Sequence, residues 1–378
     1  FQIAGGWGGG TFVGSVGVTL NNLSIKNFFK KGAWRPYPMG QNQRLSISAQ
    51  TNGTYYKAFA ISFTDPWMGG RKPNSFTISA HYSDENNAYY AWQKGTRYFR
   101  TAGVAAGLGK RLDWPDPYFT FYAEASYERY MLKDWNTFVL KNGAANLLSI
   151  RLVLGRNSVD QPIYPRRGSD FSVSVQLTPP YSLWDGKDYK STALSEQERY
   201  NWIEFHKWML KGQWFTPLTR NGNLVLMARA EMGYLGHYNK NKVSPFERFE
   251  VGGDGMTGYN MYGIDIISMR GYDDGALDPV GSNYSCAYNK YTMELRYPLL
   301  LKGQTNIYVL GFLEGGNGFT SWKEFSPFKI KRSAGIGVRL FLPVVGMVGV
   351  DWGWGFDPAA GQTKRSGSHI NFTMGMQF

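Results

Sequence analysis

Few residues in this chain are placed to do chemistry. Four histidines, His81, His206, His237 and His369, lie far apart and in no metal-ligand spacing. Asp273, Asp274 and Asp278 cluster in GYDDGALDPVGSN, but their spacing is not that of a calcium-binding EF-hand loop. The run GGWGGGTFVG superficially resembles a phosphate loop, yet no Lys-Ser/Thr follows it. Cys286 is the only cysteine, so neither an intrachain disulfide nor a cysteine-based metal site is available. No enzyme, no metal and no cofactor is therefore expected. What remains is Arg270, in the stretch MRGYDD. Its planar fork of donors suits bidentate pairing with carboxylates, and Gly271 beside it permits a tight turn. In isolation such an arginine could equally sit on the surface of a polar loop.

The elements that must position it are strands. In SFTISAHY, Phe76, Ile78, Ala80 and Tyr82 share one face, and Ser75, Thr77, Ser79 and His81 share the other. YFTFYAEASYERY, NLVLMARAEMGY, NKYTMELRYPL and RSAGIGVRLFL alternate in the same way. These stretches often reach ten residues or more, against about five or six for an ordinary strand, and they are edged by Tyr, Trp and Phe. Aromatics make up 16% of the chain, which suits the girdles of a membrane barrel. No apolar run is long enough for a transmembrane helix: the best candidate, LFLPVVGMVGV, is short and broken by Pro343. A chain that crosses a membrane without such a helix must do so as a closed barrel, because lipid offers no partner for a free backbone amide.

The alternation predicts about sixteen strands, at roughly 1–8, 11–20, 43–52, 54–64, 75–83, 97–110, 118–131, 146–156, 169–178, 200–215, 223–236, 289–299, 305–315, 332–342, 346–356 and 369–378. The longest stretch without it is 237–288, and a loop of that length in a compact structure is usually functional. A shorter irregular stretch covers 178–199. The net charge of +13 is spread over scattered Lys and Arg, so no nucleic acid is expected; a basic rim could meet anionic lipid headgroups.

The two ends of the chain form a pair. The last residues, INFTMGMQF, alternate to the final aromatic, as a strand does when it closes a barrel. The first, FQIAGGWGGG, hold five glycines in ten residues, and glycine weakens strand pairing. The expectation is a weak seam between Phe1, Ile3, Gly5, Gly6 and Gly8 on one side and Phe372, Met374, Gly375 and Phe378 on the other. An open seam exposes backbone groups that can template an incoming strand.

FEVGG (249–253) followed by MRGYDD (269–274) resembles the loop of the outer-membrane barrel insertase family that includes BamA and the two-partner secretion transporters. FTDPWMGG, NSVDQPIYPRRGSDFSVSV, MELRYPL, FLEGGNGF and RSAGIGVRLFLP resemble other segments of that family in order, so the resemblance covers essentially the whole chain. It implies an all-β fold: one transmembrane antiparallel β-barrel over 1–378, with the long loop folded into the lumen and with the family's amino-terminal periplasmic domains absent. It also implies that the tip Arg270, Gly271 and Tyr272 meets barrel-wall Glu294 and Glu314. Glu294 lies on the polar phase of its strand, whereas Glu314 shares a phase with Leu310 and Phe312, which leaves its direction open.

The implied function is assembly of client outer-membrane barrels through the lateral seam, in the bacterial outer membrane, with accessory lipoproteins and outer-membrane lipids as further partners. A pore exporting one dedicated polypeptide and a passive porin are the alternatives.

Overall fold

A computed structural model describes residues 2–8, 11–51, 56–70, 73–87, 95–255, 264–281, 284–302, 305–342 and 346–374. Phe1, Gly375 and Phe378 of the expected seam lie outside the described residues. In chain order the first strands are β1 (Gln2–Gly8), β2 (Thr11–Leu23), β3 (Gln43–Thr51), β4 (Tyr56–Asp65), β5 (Asn74–Asn86) and β6 (Tyr98–Arg111). They are followed by β7 (Phe119–Lys133), β8 (Gly143–Asn157), β9 (Gly168–Leu177), β10 (His206–Pro217) and β11 (Val225–Gly236). Two short strands, β12 (Phe249–Val251) and β13 (Asp265–Ile267), lie in the next loop. The wall resumes with β14 (Ala287–Lys302), β15 (Thr305–Phe319), β16 (Lys331–Leu342), β17 (Gly346–Pro358) and β18 (Arg365–Met374).

Sixteen strands form one sheet in sequence order, each antiparallel to the next, with β11 paired directly to β14. β1 and β18 are the two ends of that order, and among the described residues no ladder joins them. The sheet is the wall of a transmembrane barrel. Its outward phase carries Ile336, Leu313, Ile370 and Phe372, all exposed where lipid would lie. Trp208 and Trp214 stand on the same outer face toward opposite ends of β10, where a girdle belongs. No helix is long and apolar enough to cross a membrane.

One end of the barrel carries mostly compact connections, such as 218–224 between β10 and β11, with 24–42 between β2 and β3 as the long exception; the other carries 178–205 and 237–286. Short turns mark the periplasmic end and long loops the cell exterior. The 237–286 loop enters the lumen, and its β12 and β13 pair in parallel. Around it Phe246, Phe249, Val251, Met269 and Tyr272 join Phe99, Tyr130 and Tyr288 of the wall in one apolar cluster. A second cluster nearer the periplasmic end packs Tyr164 against Phe215, Met227, Tyr308 and Phe312. The Tyr164 hydroxyl donates to the carbonyls of Asn223 (2.7 Å) and Arg296 (2.9 Å), so the turn after β8 closes onto the base of the lumen.

The strand expected over 200–215 begins only at His206. Residues before it form a helix, α1 (Glu196–Tyr200), whose capping residue Ser195 and third residue Glu198 satisfy each other's backbone amides. Ile203 and Phe205, which fall within the expected strand, lie before its start and are buried in the apolar cluster.

Candidate functional site

The chemistry concentrates where the loop tip meets the wall. β14 alternates outward Met293, Leu295 and Tyr297 with inward Thr292, Glu294 and Arg296. On β15 the inward phase is Tyr308, Leu310, Phe312 and Glu314, all buried. Glu314 therefore faces the lumen together with apolar neighbours. Those neighbours are inside because Tyr164 of the turn after β8 and the wall residues Phe215 and Met227 pack with them, and the Arg270 guanidinium covers Phe312.

Arg270 sits between these two strands. Its Nη2 donates to Glu294 Oε1 at 2.7 Å and to Glu314 Oε1 at 2.6 Å. Its Nε donates to the same Glu314 oxygen at 3.1 Å, and its backbone amide donates to Glu314 Oε2 at 2.9 Å. The guanidinium lies 3.7 Å over the ring centre of Phe312, so that aromatic face receives the cation. Burial alone would lower the Arg270 pKa, but the carboxylates of Glu314, Glu294 and Asp351 outweigh it and raise the value. The guanidinium is charged at every physiological pH.

The resemblance did not point to the rest of the cluster. Asp351 on β17 lies 3.5 Å from Arg270 Nη1 and binds Arg339 of β16 through two bonds of 2.7 Å. Arg296 holds the second oxygen of Glu294 at 2.7–2.8 Å. Thr292 donates to Glu314 at 3.2 Å, and Lys290 stands 3.9 Å from it. Four cations thus face three carboxylates, nearly all out of contact with water. In such a cluster each bond is charge-assisted, and loss of one member strands the others. A signal for Asp351 was present: it is a charge set among glycines, Gly349, Gly353 and Gly355, on the inward phase of β17, opposite outward Val350, Trp352 and Trp354.

Those glycines make room for the tip. Gly271 has φ +85°, and a Cβ there would lie 2.9 Å from Ser333 Cβ and 3.0 Å from Gly355 N. From the other side, a Cβ on Gly353 would lie 2.8 Å from the amide nitrogen of Gly271. Backbone meets backbone across this notch. Tyr272 leaves it with its hydroxyl donating to the Arg332 carbonyl at 2.8 Å. Arg270, Gly271, Tyr272, Glu294 and Glu314 are thus brought together.

The seam residues are elsewhere. Ile3, Gly5, Gly6 and Gly8 lie on β1, whose register against β2 runs from Gln2 opposite Gly17 to Gly8 opposite Thr11. Phe372 and Met374 lie on β18, paired with Val350 and Val348 of β17. Among the described residues, no group of three or more His, Cys, Asp or Glu is arranged to hold a metal ion.

Two loop carboxyls are strained in a different sense. Burial pushes Asp278 up to about 8, although Ser285 Oγ (2.5 Å) and the Val251 amide (3.2 Å) donate to it. Burial likewise pushes Glu247 up to about 7, against the pull of Lys207 at 3.5 Å.

A family model described as the Omp85 superfamily domain matches residues 39–378. The chain is 23% identical over 317 residues to the outer membrane protein assembly factor BamA of Neisseria meningitidis, covering 78% of this chain and 32% of that protein. It therefore spans about a third of the length of that relative. In fold it is similar to BamA of Haemophilus ducreyi lacking POTRA domains 1–3, with a TM-score of 0.66 at 17% identity, over 98% of this chain and 68% of that one. It is also similar to CdiB of Escherichia coli, with a TM-score of 0.57 at 12% identity, over 98% of this chain and 60% of that one.

Proposed function

Because the chain belongs to the Omp85 superfamily, we propose that it is the barrel of an outer-membrane assembly factor that folds and inserts client β-barrel proteins. The client would enter through the seam between β1 and β18. Client barrels, accessory assembly lipoproteins and the lipids around the seam are its partners, and the barrel acts as one domain, with periplasmic domains supplied from outside these residues. No covalent chemistry is needed. A strand edge offers backbone hydrogen bonds to an incoming strand, and a poorly paired seam lowers the cost of exposing that edge.

The observation that carries this reading is the loop anchored inside one side of the lumen. The loop 237–286 is anchored by Arg270 to three wall strands and packed in an apolar cluster. A passive porin needs an open channel where this loop sits. Against export of one dedicated polypeptide stands the sequence relative, which is an assembly factor. Export would use the lumen, whereas insertion uses the wall, and this difference gives the test.

Cysteines are placed at facing positions on β1 and β18, with Cys286→Ser to remove the native thiol. Oxidation should abolish assembly of a client barrel by reconstituted protein, and reduction should restore it. Client insertion by the oxidised protein at the rate of the reduced protein would overturn the reading. Export that continues through the locked barrel would favour the secretion alternative.

A further inference from the structure

The loop reaches past the Arg270 junction to the edge strand. Three contacts run from it to β18. The Gly271 amide donates to Asn371 Oδ1 at 3.2 Å. Asp273 Oδ1 lies 3.2 Å from His369 Nδ1, while His369 Nε2 meets Ser366 Oγ at 2.9 Å, which orients the ring. The backbone amide of Phe372 donates to Asp254 Oδ2 at 3.4 Å. Asn371 and His369 point inward, as their alternation with outward Ile370 and Phe372 requires.

The third contact differs from the other two because it uses backbone. In an antiparallel strand the amides alternate between the neighbour on one flank and whatever lies on the other. β18 has β17 on one flank and, among the described residues, is the end of the sheet order on the other. An amide of this strand that donates to a loop carboxylate is not spent on β17 and marks the opposite flank. That flank is where β1 or an incoming strand would pair. A carboxylate oxygen is a stronger acceptor than the carbonyl it replaces.

We infer that the lumen loop latches the open edge of the last strand, with Asp254 occupying an amide that any strand pairing at the seam must take over, and with Asn371 and His369 holding β18 to the same loop. The same segment that Arg270 anchors to β14, β15 and β17 thereby also sets the position of β18. Release of the edge requires the Asp254 end of the loop to withdraw, so loop position and seam access are coupled through contiguous contacts. Asp254, Asp273 and Asn371 are positioning residues in this scheme, and the inference rests on the seam reading only for its consequence, not for the latch itself.

The test is residue-resolved hydrogen exchange of the full chain in lipid nanodiscs, comparing wild type with Asp254→Ala and Asp254→Asn. The latch predicts that the Phe372 amide exchanges about tenfold faster or more in Asp254→Ala, as loss of a hydrogen bond to a charged group implies. Amides of β17 and β16 should keep their protection. Asp254→Asn retains an oxygen acceptor without the charge and should fall between the two, and it serves alone if the alanine variant fails to fold. Unchanged Phe372 exchange in both variants overturns the latch. A second readout separates it from the assembly reading: capture of a synthetic peptide with the sequence of a barrel's terminal strand. Faster exchange with increased capture supports the latch and the seam together. Faster exchange without increased capture supports the latch and removes the strand-accepting role of the seam.

Discussion

The two halves of the lumen differ in what their inward side chains meet. From β14 to β17 most inward side chains are large or charged and buried, and Gly353 and Gly355 admit the backbone of the loop tip. From β4 to β10 the inward side chains mix small hydroxyl groups, as with Ser79, Ser126, Ser172 and Ser174, with charged ones such as Glu124, Arg151 and Lys211, and they line a cavity of about 740 Å³. The same alternating wall thus carries a docking face on one side and a hollow on the other. The difference lies in what the inward phase must touch. A wall facing water needs only hydrogen-bonding capacity, which water completes. A wall facing a folded loop needs matched shape and charge, because a buried polar group without its partner is costly.

The comparison breaks first at Arg270. Arg270→Ala leaves Glu294, Glu314 and Asp351 with their cation removed, and about 3–5 kcal/mol of stability should be lost. Thermal unfolding in detergent, read as the loss of the fast-migrating folded band on heating, measures this. A shift within error of wild type would mean that Arg296, Arg339 and Lys290 satisfy the carboxylates unaided.

Gly353→Val comes next. Its side chain enters the space of the Gly271 backbone, and overpacking of this kind costs about 1–3 kcal/mol. The variant should lose protease resistance in 237–286 while the hollow half keeps its protection. Equal sensitivity in both halves would show that the notch does not seat the tip.

The loop should also respond to pH in the direction opposite to ordinary acid denaturation. Asp278 (about 8) and Glu247 (about 7) have folded values above the usual carboxylate range. Their contribution is therefore fully present below the unfolded carboxylate values and is lost as pH rises through the folded ones. The melting temperature should fall as pH is raised from about 6 to about 9, and Asp278→Asn should flatten that slope. A slope unchanged by the substitution would assign the dependence to other groups.

On the hollow side the effects should be small. Ser126→Ala removes a 2.9 Å contact with Ser149 at the cavity wall, where water can replace it, and about 0.5 kcal/mol or less is expected. A loss comparable to that of Arg270→Ala would erase the distinction between the halves.

Much of the wall was legible because strand alternation is a local property. Each strand writes its own inward and outward faces, and sixteen such patterns were countable from residues alone. The junction was legible only in part. Glu294 stands out as a charge on a polar phase and Arg270 as a forked donor beside a glycine in a long loop, but Glu314 shares its phase with Leu310 and Phe312, and a simple rule of polar inside and apolar outside points it the wrong way. That rule assumes a wet lumen, and it fails wherever a loop replaces water. Asp351 was readable as a charge among glycines on one phase, yet its partners come from β16 and from a loop tip some eighty residues earlier, and local pattern carries no such pairing. The helix α1 was hidden because it is five residues long and falls almost wholly in the irregular stretch 178–199, too short for a helical period to show. The contacts of Asp254 and Asp273 with β18 depend on where the loop lies in the lumen and had no sequence signal at all.

The most direct measurement is single-channel conductance in a planar bilayer for wild type and Arg270→Ala under the same salt. If Arg270 holds the loop as the plug of this barrel, wild type shows small, irregular openings and the variant shows openings several-fold larger. A steady, wide pore in the wild type, or identical records from the two proteins, would contradict the account.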